Sequence, residues 1–312
     1  MIQIEKYEPK YKALWDKFVT NSKNGVFLFY RDYMEYHSDR FTDFSLMFFK
    51  GNNLIGLMPA NIKGDTLFSH GGLTFGGIVS NHRMTAHLML KIFAVLREYL
   101  RSEGVEKIVY KVIPHIYHSV AAEEDLYALF RNNAKLFRRD IASAIYLPEK
   151  ISFQETRLRC IKKAESANVK VKKVDDFKTY WKILEENLAK RHNTKPTHSI
   201  EEIECLHNKF PNNIKLFATY QNDKMLAGVV IYESNNNVAH AQYIANSEDG
   251  RKIGALDRIF AHLINKYRKN KKYFDFGIST ENEGRYLNKG LIFFKEGFGA
   301  RSVVYDFYEL ST

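Results

Sequence analysis

Cysteine is nearly absent from this 312-residue chain: there are two, Cys160 and Cys205, with no Cys-x-x-Cys pair. A disulfide framework and a structural zinc site are thereby excluded, since both need several cysteines at set spacings. No uncharged apolar run is long enough to span a bilayer. The opening MIQIEKYEPKYKALWDKF has charges throughout and lacks the apolar stretch of a secretory signal. The expectation is a cytoplasmic protein without integral membrane association. Gly-x-Ser-x-Gly and the P-loop lysine motif are missing, which argues against a serine hydrolase or an NTPase. His115 and His118 have loose metal-ligand spacing but no third ligand, so no metal is expected.

What is present reads as an ordinary globular composition, 45% hydrophobic and 27% charged. Aromatics reach 14%, which suits filled cores and pockets for flat ligands alike. The net charge of +11 favours anionic partners such as nucleotides, coenzyme A or tRNA, though simple solubility explains it equally.

Two stretches read alike. Residues 45–62 give an apolar run, a Gly-Asn-Asn turn and a second apolar run; residues 215–234 repeat this around Gln-Asn-Asp. Both are hairpin signals. Each is followed by a strand candidate, a Gly-containing loop, a helix and a buried-looking strand. Leu88, Ile92, Val95, Leu96 and Tyr99 mark the first helix; Leu256, Ile259, Phe260, Leu263, Ile264 and Tyr267 mark the second. Amphipathic helices also precede each hairpin. The pattern is a duplication, or else a common hairpin-and-helix order met twice. The fold class is α+β, each half a mixed, mostly antiparallel sheet flanked by helices. The halves are set at 1–148 and 149–312.

Several side chains invite chemistry. His198 and His240 are general-base candidates, because neutral imidazole is available near pH 7. Strand alternation puts His240 and Gln242 on one face. Arg191 and Lys195 stand where an acceptor phosphate would bind, or form a solvated face. The Gly-rich Gly71–Gly77 segment around Phe75 is a ligand wall or a structural bend. Asp275 and Asp306 lie on strands, where ion pairs with Arg or Lys are expected.

The segment FDFGISTENEGRYLNKGLIFFKEGFGARSVVYDFYEL, Phe274 to Leu310, resembles the closing segment of the FemAB-like acyltransferases of the GNAT superfamily. RHNTKPTHS, AHAQYIA and FSHGGLTFGGIV are similar to the same group. The resemblance implies two tandem GNAT-like (acyl-CoA N-acyltransferase) domains, the second holding donor and catalytic groups. It implies acyl transfer to an amine or hydroxyl, with two branches. One takes acyl-CoA, often acetyl-CoA, to a small or nucleotide-linked acceptor in sugar or polysaccharide pathways. The other is the Fem branch, which uses aminoacyl-tRNA as donor; the coiled-coil arm usual there has no counterpart here. A third possibility is a tandem-GNAT protein that binds a ligand or polyanion without turnover. The superfamily architecture implies a donor held along the strand that includes Gln242, Tyr243 and Ile244 and in a loop 246–254 with Gly250, Arg251, Lys252 and Gly254. Only the first half of the family's phosphate signature is met, because Leu256 replaces a small residue. By the same resemblance Lys295 stabilises charge at the transferring carbonyl, with Phe294 beside it at the substrate site.

Overall fold

The computed structural model describes residues 1–192 and 194–312, the side chains of Arg191 and His192 excepted. The chain forms two compact units. The first comprises Met1–Ile141, Thr280–Tyr286 and Val304–Thr312; the second comprises Ala142–Ser279 and Leu287–Val303. The sequence placed a junction at 148, after a short strand at 143–147. That strand is instead twelve residues long, Lys135–Tyr146, and it begins in one unit and ends in the other. Arg301–Ser311 does the same on the way back. Neither strand contains Gly or Pro, so nothing in either interrupts extended backbone.

In the second unit the strands run in the order Lys170–Val174, Ile214–Gln221, Lys224–Glu233, Val238–Asn246, Tyr273–Ile278, then residues 142–146. All neighbours are antiparallel except 238–246 and 273–278, which are parallel. The hairpin at 221–224 turns on Asn222 and Asp223, both at positive φ, as the Asn-Asp signal requires. Helix Ala255–Tyr267 lays Ile259, Phe260, Leu263, Ile264 and Tyr267 on one face of this sheet, against Val229, Ile231, Ala239, Ala241, Phe274 and Phe276. Helix Phe177–His192 covers the opposite face, close enough that a side chain at Gly228 would meet the Tyr180 ring at 2.3 Å.

The first unit has a four-stranded sheet, in the order Ile2–Lys6, Leu46–Lys50, Asn53–Met58, Val79–Ser80. In a second sheet Lys107–Lys111 pairs with residues 307–311 on one side and with Thr66–Phe68 on the other. Helix Ala86–Ser102, capped by Thr85, packs Met89, Ile92, Phe93, Leu96 and Leu100 against Leu46, Phe48, Ile55, Ile108 and Tyr110. Hairpin, strand, helix and strand therefore follow one another in both units, and the architecture is α+β with mostly antiparallel sheets flanked by helices.

Candidate functional site

Strand 238–246 has antiparallel pairing with 224–233 along most of its length. Its parallel pairing with 273–278 covers only Val238–Tyr273, Ala239–Phe274 and His240–Asp275. From Ala241 onward the ladder on that side ends. A second irregularity falls here: Val230 pairs with Tyr243 and Ile231 with Ala241, leaving Gln242 as the extra residue of a β-bulge. The bulge reverses the alternation. Ala239, Ala241 and Ile244 pack together with helix 255–267, so Tyr243, not Gln242, shares the face of His240. Regular alternation fails because it counts no inserted residue.

His240 and Asp275 are the last register pair, and they bond to each other: Nδ1 lies 2.8 Å from Oδ2. The other carboxylate oxygen accepts the Gly277 amide at 2.8 Å. Gly277 has φ +73°, and a Cβ there would lie 3.2 Å from His240 Cε1. Asp275 is fully buried. Its partner is a histidine rather than the expected Arg or Lys. Asp306 does have the expected partner, Arg139, at 2.6 and 2.7 Å.

Lys295 joins this group from helix Lys289–Glu296, which Asn288 caps through the Leu291 amide. Its Nζ donates to the carbonyls of Gly277, at 2.9 Å, and Ile278, at 2.6 Å. The side chain is 2% exposed. Burial pushes its pKa down to about 8, against the pull of the Asp275 carboxylate in the other direction.

Of the three residues singled out for catalysis, His240 and Lys295 thus meet at one bend. His198 meets the same strand at Tyr243, on the face of His240. It is buried, with Nδ1 2.5 Å from Tyr243 Oη, and its carbonyl accepts from Trp181 Nε1 at 3.3 Å. Asp275 is the residue that sequence reasoning missed for this site. The signal lay in the pairing register, which a strand pattern alone does not give.

The expected donor loop is not a loop. Glu248–Ile253 is a short helix, and Ser247 Oγ already caps the Gly250 amide at 3.0 Å. Its first turn holds Glu248, paired with Lys190 at 3.0 Å, and Asp249, paired with Lys224 at 2.7 Å. Arg251 donates to Asn187, and Lys252 is exposed. Both glycines serve close packing. A side chain at Gly250 would meet Asn246 Oδ1 at 2.2 Å, and one at Gly254, φ +78°, would meet the Cys160 carbonyl at 2.4 Å.

The expected acceptor residues belong to both units. Lys195 is exposed, and the Arg191 side chain lies outside the described residues. Phe294 is partly buried against Phe260 and Phe298, with the Arg157 guanidinium 5.0 Å from its ring. Phe75 belongs to the first unit and is 2% exposed, its ring against Tyr117 at 4.5 Å and Tyr305 at 6.0 Å. His118 bonds the Ile113 carbonyl. Among the described residues no group of three or more His, Cys, Asp or Glu is placed to hold a metal ion, and no helix is long and apolar enough to cross a membrane.

Residues 152–286, which include the strand gap, His240 and Asp275, match the family described as acetyltransferase (GNAT) domain. No curated protein matches the chain. Among solved structures, FemX superimposes with a TM-score of 0.69 at 12% identity, over 97% of this chain and 96% of FemX. L-PGS from Bacillus licheniformis gives 0.60 at 11%, over 98% and 92%. A tandem GNAT protein from the clavulanic acid biosynthesis pathway gives 0.55 at 9%, over 100% and 98%.

Proposed function

We propose, from the premise that this chain has a FemAB-like, tandem fold of the GNAT superfamily, that it transfers an acyl group from acyl-CoA to an amine or hydroxyl. The acceptor we assign is a small anionic molecule, such as a nucleotide-linked amino sugar, with exposed Lys195 among its contacts. The chemistry belongs to the second unit. The observation behind this reading is the strand pair that parts after His240 and Asp275. A strand edge released there supplies backbone amides for a carbonyl oxygen that becomes anionic as the acceptor adds. His240 stands at the parting point, 8% exposed.

The steps follow from acyl-transfer chemistry. The acceptor nitrogen or oxygen bonds to the acyl carbon while its proton passes to the His240 imidazole. The tetrahedral centre collapses, the bond from carbon to sulfur breaks, and the thiolate takes the proton. Lys295 fixes the bend that carries Gly277 and adds positive charge beside the reacting carbonyl. Both donor and acceptor are cytoplasmic metabolites in this reading.

One observation favours a second donor. The helix at 248–253 is capped by Ser247 and has two carboxylates in its first turn, an arrangement that opposes a pyrophosphate there. An aminoacyl-tRNA ester needs no such cradle, and the excess of basic residues suits it. Calorimetric titration with acetyl-CoA tests the first donor. Saturable heat is expected; no heat at millimolar acetyl-CoA from folded protein would remove it. Salt-sensitive retention of charged tRNA on filters would then favour the second.

A further inference from the structure

We infer that Asp275 is a positioning residue for His240, holding the imidazole as its Nδ1–H tautomer so that Nε2 is the nitrogen that accepts a proton. The base role of His240 rests on the acyl-transfer reading; the tautomer does not, and is measurable by itself.

The geometry is set by backbone before side chains. His240 and Asp275 are partners in the last rung of the parallel ladder, so their side chains leave the same face side by side. Asp275 Oδ2 sits 2.8 Å from His240 Nδ1. With Asp275 ionised its oxygens only accept hydrogen bonds; Nδ1 then donates, and the neutral ring has its lone pair on Nε2. The carboxylate cannot swing away, because Oδ1 receives the Gly277 amide at 2.8 Å. Its complete burial keeps water from competing.

The bend that delivers this amide is itself held. Gly277 turns at φ +73°, a conformation that suits glycine. Lys295 donates to the carbonyls of Gly277 and Ile278, clamping the turn from the side of its oxygens. Ring, carboxylate, bend and ammonium form one connected set, all within the second unit. During transfer the acceptor's proton moves to Nε2, and the imidazolium so formed faces the Asp275 carboxylate. The proton then leaves with the departing thiolate, and Asp275 never takes it.

The test uses the full chain labelled with ¹⁵N-histidine, the His240 ring signals being those lost in H240Q. With the ring neutral, long-range ¹⁵N–¹H correlations are expected to place the wild-type proton on Nδ1. In D275N, whose amide donates as well as accepts, the proton shifts wholly or partly to Nε2. Release of CoA from acetyl-CoA is expected to fall about 10²–10⁴-fold in kcat in D275N, with KM for acetyl-CoA within about twofold. A wild-type ring protonated at Nε2 overturns the inference, and so does a D275N protein that keeps the Nδ1–H tautomer and full turnover. If D275N does not fold, the wild-type tautomer alone decides. If acetyl-CoA is not turned over by the wild type, the acyl-CoA reading falls, and the tautomer still judges Asp275.

Discussion

The two units follow the same order of hairpin, strand, helix and strand, yet they treat the space between strand and strand differently. In the second, the strand before the helix meets the strand after it for three rungs and then parts from it. In the first, Val79–Ser80 and Lys107–Lys111 belong to different sheets, and side chains fill the place between them. The Ile78 amide donates to Tyr110 Oη at 2.7 Å, and Tyr110 donates to Asp125 Oδ2 at 2.7 Å. Gly77, at φ +87°, allows the Tyr110 ring to lie where a Cβ would be 2.7 Å away. A buried phenol thus takes an amide that the second unit's architecture would offer to a ligand. In the first unit a tyrosine consumes an amide at this place; in the proposed reading the second unit's parted strand offers its amides to the donor instead.

Both units also hold a buried or half-buried lysine against backbone carbonyls. Lys111 donates to the carbonyls of His70, Gly71 and Leu73, and burial pushes its pKa down to about 8, as with Lys295. Lys111 commits three contacts to one loop. Lys295 makes two, beside a histidine and a carboxylate. The lysine alone does not distinguish a site; its neighbours do.

The largest expected effect breaks the symmetry between the units. H240Q and K295M should each lower turnover of acetyl-CoA by about 10²–10⁴-fold, whereas Y110F should leave turnover within a few-fold of wild type. Steady-state assays on the three proteins decide this, and equal losses in all three would contradict the division of roles.

Next in size is a pH effect confined to the first unit. Burial pushes Asp125 up to about 6, with the Tyr110 hydrogen bond acting in the opposite direction. A carboxyl whose pKa is raised on folding binds its proton more tightly in the folded state. Its contribution to stability is therefore full below about pH 4 and lost as the pH rises to about 6, by about 3 kcal/mol. Denaturant titrations across that range should show the fall in the wild type relative to D125N, where this contribution is missing. Y110F should cost about 1–3 kcal/mol at neutral pH, since it leaves the Ile78 amide and Asp125 without their partner.

Smallest is S247A. Removing the cap of helix 248–253 should cost about 1 kcal/mol of stability and leave the affinity for acetyl-CoA unchanged. Weaker acetyl-CoA binding would instead make that helix terminus part of the donor site.

How much of this the sequence disclosed follows from what each signal measures. Hairpins at Asn-Asp turns and the helical faces from Leu88 and Leu256 were legible, because turn chemistry and apolar period are local. The bulge at Gln242 was not: in AHAQYIA, regular alternation looks plausible, and the inserted residue is visible only from the partner strand. Asp275 was recognised as a carboxylate needing a partner, but its histidine comes from another strand 35 residues earlier. Residues 246–254 did hold a readable signal, Ser247 followed by Glu248 and Asp249, an N-cap with an acidic first turn. Lys295 stands out through the resemblance, and its burial against two backbone carbonyls is set by tertiary packing. The junction near 148 assumed that a strand ends where a unit ends, whereas Lys135–Tyr146 runs on across the boundary.

Amide hydrogen exchange with and without acetyl-CoA tests the central claim most directly, because it reads the backbone edge itself. Protection is predicted within residues 241–246 and not at 78–80. Protection confined to the first unit, or none anywhere under saturating acetyl-CoA, would contradict the assignment of the donor to the parted strands.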